Sequence, residues 1–205
     1  MIEGVIFDAD GTLIDSMPFW TSTVYDIIRI AGIEPSDDLI DLLNPMSMAE
    51  GARYLHDNIG IEMSVDEIIE QENARVLEFY QNEVEMLPNM RELLDCLSAH
   101  GIPMVIASAT ESALIKAALA HTGITDKFKA VLSCSDVGHG KDKPDVFLKA
   151  CGILGLSPGK TAVVEDSPTA RETARRAGFV VVDAQRYIEA ANNSPDKLNT
   201  FFDMT

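Results

Sequence analysis

The sequence predicts an α/β fold in which a doubly wound parallel sheet carries one all-helical insert. Three observations indicate this class. Short, continuous apolar runs recur along the chain, segments of helical periodicity separate them, and one long stretch shows helical periodicity without a convincing strand. A chain of 205 residues with 46% hydrophobic residues fits one domain with a modest insertion and can bury a sizeable core.

The predicted strands are brief apolar runs bounded by polar residues or glycine. Such runs are typical of central strands in a parallel sheet, which are buried on both faces. In chain order they are VIF at 5–7, MVIA at 104–107, AVLS at 130–133, AVVE at 162–165 and FVVV at 179–182.

The predicted core helices alternate with the last four strands. Apolar residues at helical spacing mark them, and glycine at or near the last residue is a stop signal. They cover 90–101, 112–123, 145–155 and 168–178. Alternating strands and helices predict a doubly wound, Rossmann-like core.

The stretch from about 17 to 85 interrupts this alternation. It contains TVYDIIRIAG, DLIDLL and VDEIIEQENARVLEFY, all with helical periodicity. A small helical bundle placed directly after the first strand would lie above the carboxyl ends of the sheet, where ligands of such folds bind. We therefore expect residues 1–15 and 86–205 to form the α/β core and residues 16–85 to form the helical insert.

The charge is strongly acidic and unevenly distributed. A formal net charge of −17 argues against nucleic acid and against anionic membrane surfaces as partners. Residues 15–85 hold 16 acidic residues, three arginines and no lysine, a net −13. This pattern favours solvated helix faces. The alternative is a segment that discourages highly anionic ligands from its side of a cleft.

Cysteine usage and hydropathy predict a cytoplasmic protein. Cys96, Cys134 and Cys151 are far apart and form no CxxC pattern, so we expect reduced, core-facing thiols. No window approaches the roughly 18 consecutive apolar residues of a membrane span. The first residues lack the basic region of a secretory signal.

Four polar motifs stand at or just beyond the ends of predicted strands: DADGT at 8–12, SAT at 108–110, GKDKPD at 140–145 and EDS at 165–167. A parallel sheet gathers its carboxyl ends into one crevice, so these motifs can meet. Clustered carboxylates suit Mg²⁺, and a lysine with a hydroxyl can hold phosphoryl oxygens. A further aspartate can act as a nucleophile.

In this order the motifs resemble those of the haloacid dehalogenase superfamily of phosphotransferases. The position of the insert and the EDSP sequence are similar to its β-phosphoglucomutase-like branch, which carries a helical cap domain there. The resemblance implies that Asp8 is the nucleophile and forms an aspartyl-phosphate. It implies that Asp10 is the general acid that protonates the leaving oxygen, and then the base that activates water.

The resemblance also implies the ligands of metal and phosphate. Asp8, the main-chain carbonyl of Asp10 and Asp166 would hold Mg²⁺, with Glu165 assisting directly or through water. Three groups would bind phosphate oxygens: Ser108, the amide of Ala109 and a lysine. The family commonly shows Lys-Pro-x-Pro-Asp, and that spacing selects Lys141 over Lys143, although Asp142 replaces the expected proline.

Each motif taken alone has a structural interpretation. Ser108 could cap the following helix, the two lysines could be solvated loop charges, and the EDS acids could favour a helix N-terminus. Thr12 is expected to serve the loop structure. The remaining basic residues near these motifs are expected to be surface charges: Lys160, Arg171, Arg175 and Arg176.

Three functions remain open. The favoured one is a Mg²⁺-dependent phosphatase for a small phosphorylated metabolite, a sugar or polyol phosphate. A sugar-phosphate mutase is the first alternative, but Trp20 stands where such mutases carry a cap histidine. Met48 stands near the place of their cap arginine, with Arg53 close by. The second alternative is a non-catalytic protein that binds a partner through its acidic helices. The oligomeric state stays open.

Overall fold

A five-stranded parallel sheet forms the centre of the protein. The computed structural model describes residues 2–36, 38–43 and 45–205, and of residue 40 the backbone only. The strands are β1 (Gly4–Phe7), β2 (Met104–Ser108), β3 (Val131–Ser133), β4 (Thr161–Glu165) and β5 (Val180–Asp183). Each strand begins and ends within one residue of its predicted bounds, because continuous apolar runs mark strands that are buried on both faces of the sheet.

The strand order β3-β2-β1-β4-β5 places β1 at the middle of the sheet. Val5 pairs with Met104 on one side and with Ala162 on the other. The chain leaves β1, β2 and β4 at the same edge, and these three strands carry the DADGT, SAT and EDS motifs. The predicted convergence of these motifs at one crevice therefore follows from the topology.

The insert is helical throughout its described residues. It contains α1 (Met17–Ile30), α2 (Leu39–Leu43), α3 (Met48–Tyr54), a π-helical turn (Leu55–Ile59) and α4 (Val65–Asn82). Serine residues with glutamate three positions later form capping boxes at the starts of α3 and α4. The insert has an apolar core of its own, formed by buried side chains: Val24, Ile27, Ile28, Leu39, Ala52, Leu55, Ile61 and Ile68.

The core helices cover both faces of the sheet. They are α5 (Met90–Ala99), α6 (Ser112–Thr122), α7 (Asp145–Leu154), α8 (Pro168–Arg176), α9 (Ala184–Asn192) and α10 (Lys197–Asp203). The first four agree with the predictions within two residues. Helices α9 and α10 are not among the predictions, although the Asp183 side chain caps α9 and Tyr187 is fully buried.

The two segments of chain that connect the insert to the core lie side by side. The Asp15 amide donates to the Glu85 carbonyl at 2.9 Å, and the Leu87 amide donates to the Leu13 carbonyl at 2.9 Å. The insert thus leaves and re-enters the core at neighbouring points, as expected for an insertion. The division at 15/16 and 85/86 stays a prediction.

The insert roofs the carboxyl edge of the sheet. Its helix α4 packs against α6 of the core. The Lys141 amide donates to the Pro45 carbonyl at 2.7 Å, and a Cβ on Gly140 would lie 2.6 Å from that same oxygen. The glycine therefore permits close contact between the 140–141 loop and the insert. None of the helices in the described residues is long and apolar enough to cross a membrane.

Candidate active site

Asp8 is buried at the end of the central strand. Its side chain is 4% exposed, and its amide donates to the Val164 carbonyl of β4 at 3.0 Å. Burial, followed by the charge of Glu165, raises the pKa of Asp8 to about 7, while Lys141 opposes this shift. A carboxylate held in this way is poorly solvated and is a potential nucleophile or metal ligand.

Lys141 is the cation that faces these acids. Its Nζ donates to Asp8 Oδ1 and to Glu165 Oε2, the latter at 2.7 Å, and all three side chains are nearly inaccessible to solvent. Burial opposes protonation, but the two carboxylates raise the pKa of Lys141, so the ammonium persists. Lys143 instead is exposed and contacts His139 at 3.1 Å. The geometry therefore favours the predicted choice of Lys141 over Lys143.

Three carboxylates form a cluster that fits a divalent cation. Oxygens of Asp8, Glu165 and Asp166 lie within 4.8 Å of one another. Burial chiefly raises the pKa of Glu165 to about 7 and that of Asp166 to about 6. Asp166 Oδ1 is buried and receives no hydrogen bond from the described residues. An orphaned carboxylate oxygen among further acids is what a hard cation with oxygen ligands would satisfy.

Gly11 leaves room for this cluster. Its φ is +73°, in the left-handed region that favours glycine, and a Cβ there would overlap Asp166 Oδ2. The glycine of DADGT is thus required both by backbone conformation and by the approach of the EDS loop.

Asp10 points toward the insert and accepts four side-chain hydrogen bonds. Its Oδ1 accepts from Ser16 Oγ at 2.6 Å, from Trp20 Nε1 at 3.2 Å and from the Tyr80 hydroxyl. Its Oδ2 accepts from Thr110 Oγ1 at 2.8 Å. Burial and the Asp10 charge raise the pKa of Tyr80 well above its ordinary value, so the phenol keeps its proton and donates. Core and insert together fix this carboxylate.

The SAT motif lies beside both aspartates. Ser108 is buried, and its Oγ accepts a hydrogen bond from the Thr110 amide at 3.1 Å. Ser108, Ala109 and Thr110 line the same cavity as Asp8 and Asp10. The predicted phosphate-binding residues thus face the predicted nucleophile.

The cavity lies between the core and the insert and has a volume of about 100 Å³. Its core side carries the polar groups described above, whereas its insert side is mainly apolar, apart from Ser47 and Glu72. The insert side consists of Met17, Trp20, Val24, Leu43, Met46, Ser47, Met48, Gly51, Leu55 and Glu72. A buried, mostly apolar pocket with a few convergent polar groups is the usual form of a small-molecule site.

The family comparison agrees with this geometry. A family model described as haloacid dehalogenase-like hydrolase matches residues 2–178, most of the chain. The chain belongs to this family. The predicted superfamily is thereby confirmed, and so is the hydrolase class.

Curated relatives and solved structures add detail to the family assignment. The chain is similar to the fructose-1-phosphate phosphatase YqaB of Escherichia coli (strain K12), at 29% identity over 184 residues, 89% of this chain and 96% of the relative. It is also similar to hexitol phosphatase B of the same organism, at 28% identity over 186 residues, 88% of this chain and 83% of the relative.

The fold of this haloacid dehalogenase-like hydrolase is shared with a solved β-phosphoglucomutase from Clostridium difficile. The TM-score is 0.78 at 23% identity, over 89% of this chain and 84% of that one. CbbY from Rhodobacter sphaeroides, solved with phosphate, gives 0.76 at 21% identity over 88% of this chain and 85% of that one. These likenesses confirm the predicted α/β fold with a helical cap.

The residues at and near the positions that distinguish a mutase differ in whether they line the cavity. Trp20 and Met48 both line the cavity, while Arg53 is exposed and is not among the described lining residues. Phe19 instead stacks on Phe79, with ring centroids 4.2 Å apart, and belongs to the apolar packing.

One sequence expectation near the site is wrong. Arg171 is not a surface charge: its Nη1 donates to the Asp166 carbonyl at 2.5 Å and to the Glu165 carbonyl at 3.3 Å. Its Nη2 lies 3.0 Å from Asp183 Oδ2, and its side chain is only 18% exposed. Arg171 thus holds the main chain of the EDS loop, because it lies one turn into α8 directly behind that loop.

Several contacts to Asp10 were absent from the sequence predictions. Thr110 is part of the SAT motif, so its position close to Ser108 in the sequence is a signal that could place it at the site. Ser16 and Tyr80 carry no motif, and only the path of α1 and α4 over the sheet brings them to Asp10. The cysteines agree with expectation: all three are free, Cys134 and Cys151 are buried, and Cys96 is partly buried.

Proposed function

We propose that this protein is a Mg²⁺-dependent phosphatase that hydrolyses a small phosphomonoester, a sugar or polyol phosphate, through an aspartyl-phosphate on Asp8. The observation that carries the proposal is the unsatisfied Asp166 Oδ1 within the Asp8–Glu165–Asp166 cluster, of which Asp8 and Glu165 line the cavity together with Ser108 and Asp10. The names of the phosphatase relatives support the reaction class and the substrate class.

Asp8, Glu165 and Asp166 would hold the magnesium ion, and the Asp10 carbonyl is the fourth ligand that the family resemblance implies. The bound ion supplies positive charge that reduces the repulsion between the carboxylates and the phosphate dianion. Lys141 favours the ionised forms of Asp8 and Glu165 and contributes a further positive charge beside the phosphoryl group. Ser108 Oγ and the Ala109 amide orient the remaining phosphate oxygens.

Two displacements at phosphorus complete the reaction. An Asp8 oxygen attacks phosphorus, the bond from phosphorus to the leaving oxygen breaks, and Asp10 gives its proton to that oxygen. Asp10 then takes a proton from water, which attacks the aspartyl-phosphate and releases inorganic phosphate with Asp8 regenerated. Ser16, Trp20, Tyr80 and Thr110 fix Asp10 at one place for both transfers.

Hydrolysis is favoured over the mutase reaction by the charges of the cavity. Among the described lining residues, Lys141 is the one cationic side chain, and it is already paired with two carboxylates. A mutase must bind a second phosphate during its cycle. Besides Lys141, the described lining residues include no arginine or lysine that could bind it. At the position where such mutases carry a cap histidine, this chain has Trp20, which donates a hydrogen bond to Asp10 and has no titratable side chain.

The proposal includes a cytoplasmic location and a metabolite partner. Three free thiols without a disulfide suit a reducing compartment. The net charge of −17 disfavours nucleic acid and anionic membranes as partners.

Phosphate release from a panel of phosphomonoesters tests the proposal. With MgCl₂ present, the wild-type protein should prefer sugar or polyol phosphates over nucleotides and phosphoamino acids. Asp8→Asn should abolish release, while Asp15→Asn, an exposed aspartate seven residues away, should leave the rate unchanged. Hydrolysis by Asp8→Asn at the wild-type rate, or none by the wild type with any ester, would contradict the mechanism.

A further inference from the structure

Glu72 is a buried acid inside the cavity that the proposed reaction does not use. Its side chain is 4% exposed, and it lines the insert side of the pocket. It lies on the buried stripe of α4 between Ile68 and Val76, four residues from each. Two turns further along the same stripe is Tyr80, which donates to Asp10.

In the part of the chain that the structure describes, no basic group pairs with Glu72. Among the described residues, none donates a hydrogen bond to its carboxyl oxygens, and burial is the sole cause that raises its pKa to about 7. The nearby basic residues are used elsewhere: Lys141 pairs with Asp8 and Glu165, and Arg75 pairs with Asp26 at 3.2 Å. Burying an ionisable group without a partner is costly, so this carboxyl is poised for a partner that a ligand brings.

The walls around Glu72 favour a cationic partner. They include Val24, Leu43 and Leu55, and in such apolar surroundings an ion pair is stronger than in water. A second phosphate or a carboxylate would instead be repelled.

The position of Glu72 sets the length of the ligand. Eight residues of α4 separate it from Tyr80, which corresponds to about 12 Å of helix axis. Since Tyr80 marks the place of Asp10 and of the leaving oxygen, Glu72 faces the far end of the leaving group. A hexose by itself is shorter than this interval, so a leaving group of that size, with its phosphate ester at one end, reaches the carboxyl only because the Glu72 side chain extends toward it.

We propose that Glu72 determines specificity by binding an ammonium group at the far end of the leaving group, so that the preferred substrate is an amino sugar phosphate or amino polyol phosphate. This inference rests on the proposed phosphatase activity and names its substrate class. Asp8 and Asp10 act on the phosphate end, and Glu72 forms an ion pair with the ammonium group at the other.

Glucosamine 6-phosphate and glucose 6-phosphate form a matched pair of probes, because they differ only in an ammonium group in place of one hydroxyl. The wild-type kcat/KM should be at least 10-fold higher for the amino sugar, equivalent to 1.4 kcal/mol of discrimination. Glu72→Gln keeps the shape and removes the charge, so this ratio should fall at least 10-fold, mainly through KM. Glu70→Gln, on the exposed face of the same helix, should keep the wild-type ratio.

The two proposals fail in distinguishable ways. p-Nitrophenyl phosphate carries no ammonium group, and its Mg²⁺-dependent hydrolysis reports on the phosphatase proposal alone. If it is hydrolysed while the wild type shows no preference for the amino sugar, the role of Glu72 is wrong and the phosphatase stands. An unchanged ratio in Glu72→Gln, at an unchanged melting temperature, also overturns the role of Glu72. If no ester is hydrolysed, both proposals fall.

Discussion

Magnesium should stabilise the folded protein more at pH 7.5 than at pH 5.0. The cause is the carboxylate cluster, in which the pKa values of Asp8 and Glu165 are about 7 and that of Asp166 is about 6. At pH 5.0 these groups hold protons, and a metal ion must displace them before it binds. Displacing one proton from a group with a pKa of about 7 lowers the apparent affinity roughly 80-fold between the two pH values.

That factor corresponds to about 2.6 kcal/mol, since each tenfold change is about 1.4 kcal/mol. At a Mg²⁺ concentration well above the dissociation constant at both pH values, the whole difference appears in stability through linkage. For a chain of this size, about 1 kcal/mol shifts Tm by roughly 2–4 °C. The Mg²⁺-induced rise in Tm should therefore be about 5–10 °C larger at pH 7.5 than at pH 5.0.

Without metal the pH dependence has the opposite direction. Between about pH 4 and pH 7 the folded cluster retains protons that the unfolded chain has released, so metal-free stability contributed by these groups falls as pH rises through this window. Above about pH 7 the contribution levels off. Differential scanning fluorimetry with and without EDTA measures both trends on one sample.

Two variants make the experiment specific. Asp166→Asn removes a proposed metal ligand and should lose most of the Mg²⁺ effect at pH 7.5, whereas Asp142→Asn, an exposed neighbour of the site, should retain it. Ionic strength is held constant with NaCl, because a chain of net charge −17 responds to any added cation. Equal Tm shifts at both pH values, or a full shift in Asp166→Asn, would refute the metal site.

Three further predictions concern single contacts. Lys141→Ala should lower kcat at least 100-fold by leaving two buried carboxylates without their cation, while Lys143→Ala should stay within twofold of wild type, both measured by phosphate release. Gly11→Ala should raise the Mg²⁺ concentration for half-maximal activity at least 10-fold, because its Cβ would overlap Asp166. Tyr80→Phe should lower kcat about 10-fold with KM little changed, because Asp10, the proposed general acid, loses one charge-assisted hydrogen bond of about 1.5 kcal/mol.

Matched comparisons identify what each variant tests. Tyr187→Phe removes a hydroxyl that contacts the Lys197 carbonyl far from the site and should leave kcat unchanged. Similar losses in both tyrosine variants would mean that Tyr80 acts through stability alone. Equal, slight effects of the two lysine variants would mean that neither lysine serves the phosphate.

Much of the core could be predicted from the sequence because two local signals coincide there. A strand buried on both faces must be apolar without interruption, and the polar residues at its end must then face the crevice. VIF followed by Asp8, and AVVE followed by Asp166, carry both signals. Helix α9 lacks such a contrast: it follows the last strand, and polar residues flank its buried pair Tyr187 and Ile188 on both sides.

The residues that hold the site together were harder to predict because their partners are main-chain atoms or distant side chains. Arg171 lies in the polar sequence PTARETARRAG, where nothing local separates it from the exposed Arg175 and Arg176. Its contacts are carbonyl oxygens of the EDS loop, which sequence patterns do not display. Tyr80 belongs to the apolar stripe of α4 and is indistinguishable there from an ordinary core residue.

The net charge of the insert does not reveal that one of its acids, Glu72, is buried. A net charge of −13 is best explained by acids on solvated helix faces, and Glu67, Glu70 and Glu78 are indeed exposed. Glu72 differs by its register, because it occupies the same stripe as Ile68 and Tyr80 and is therefore carried inward with them. An acid at an apolar register position either disrupts the packing or serves a ligand. Because this one opens into the cavity above Asp8, the ammonium-bearing substrate is the hypothesis that gives its burial a physical cause.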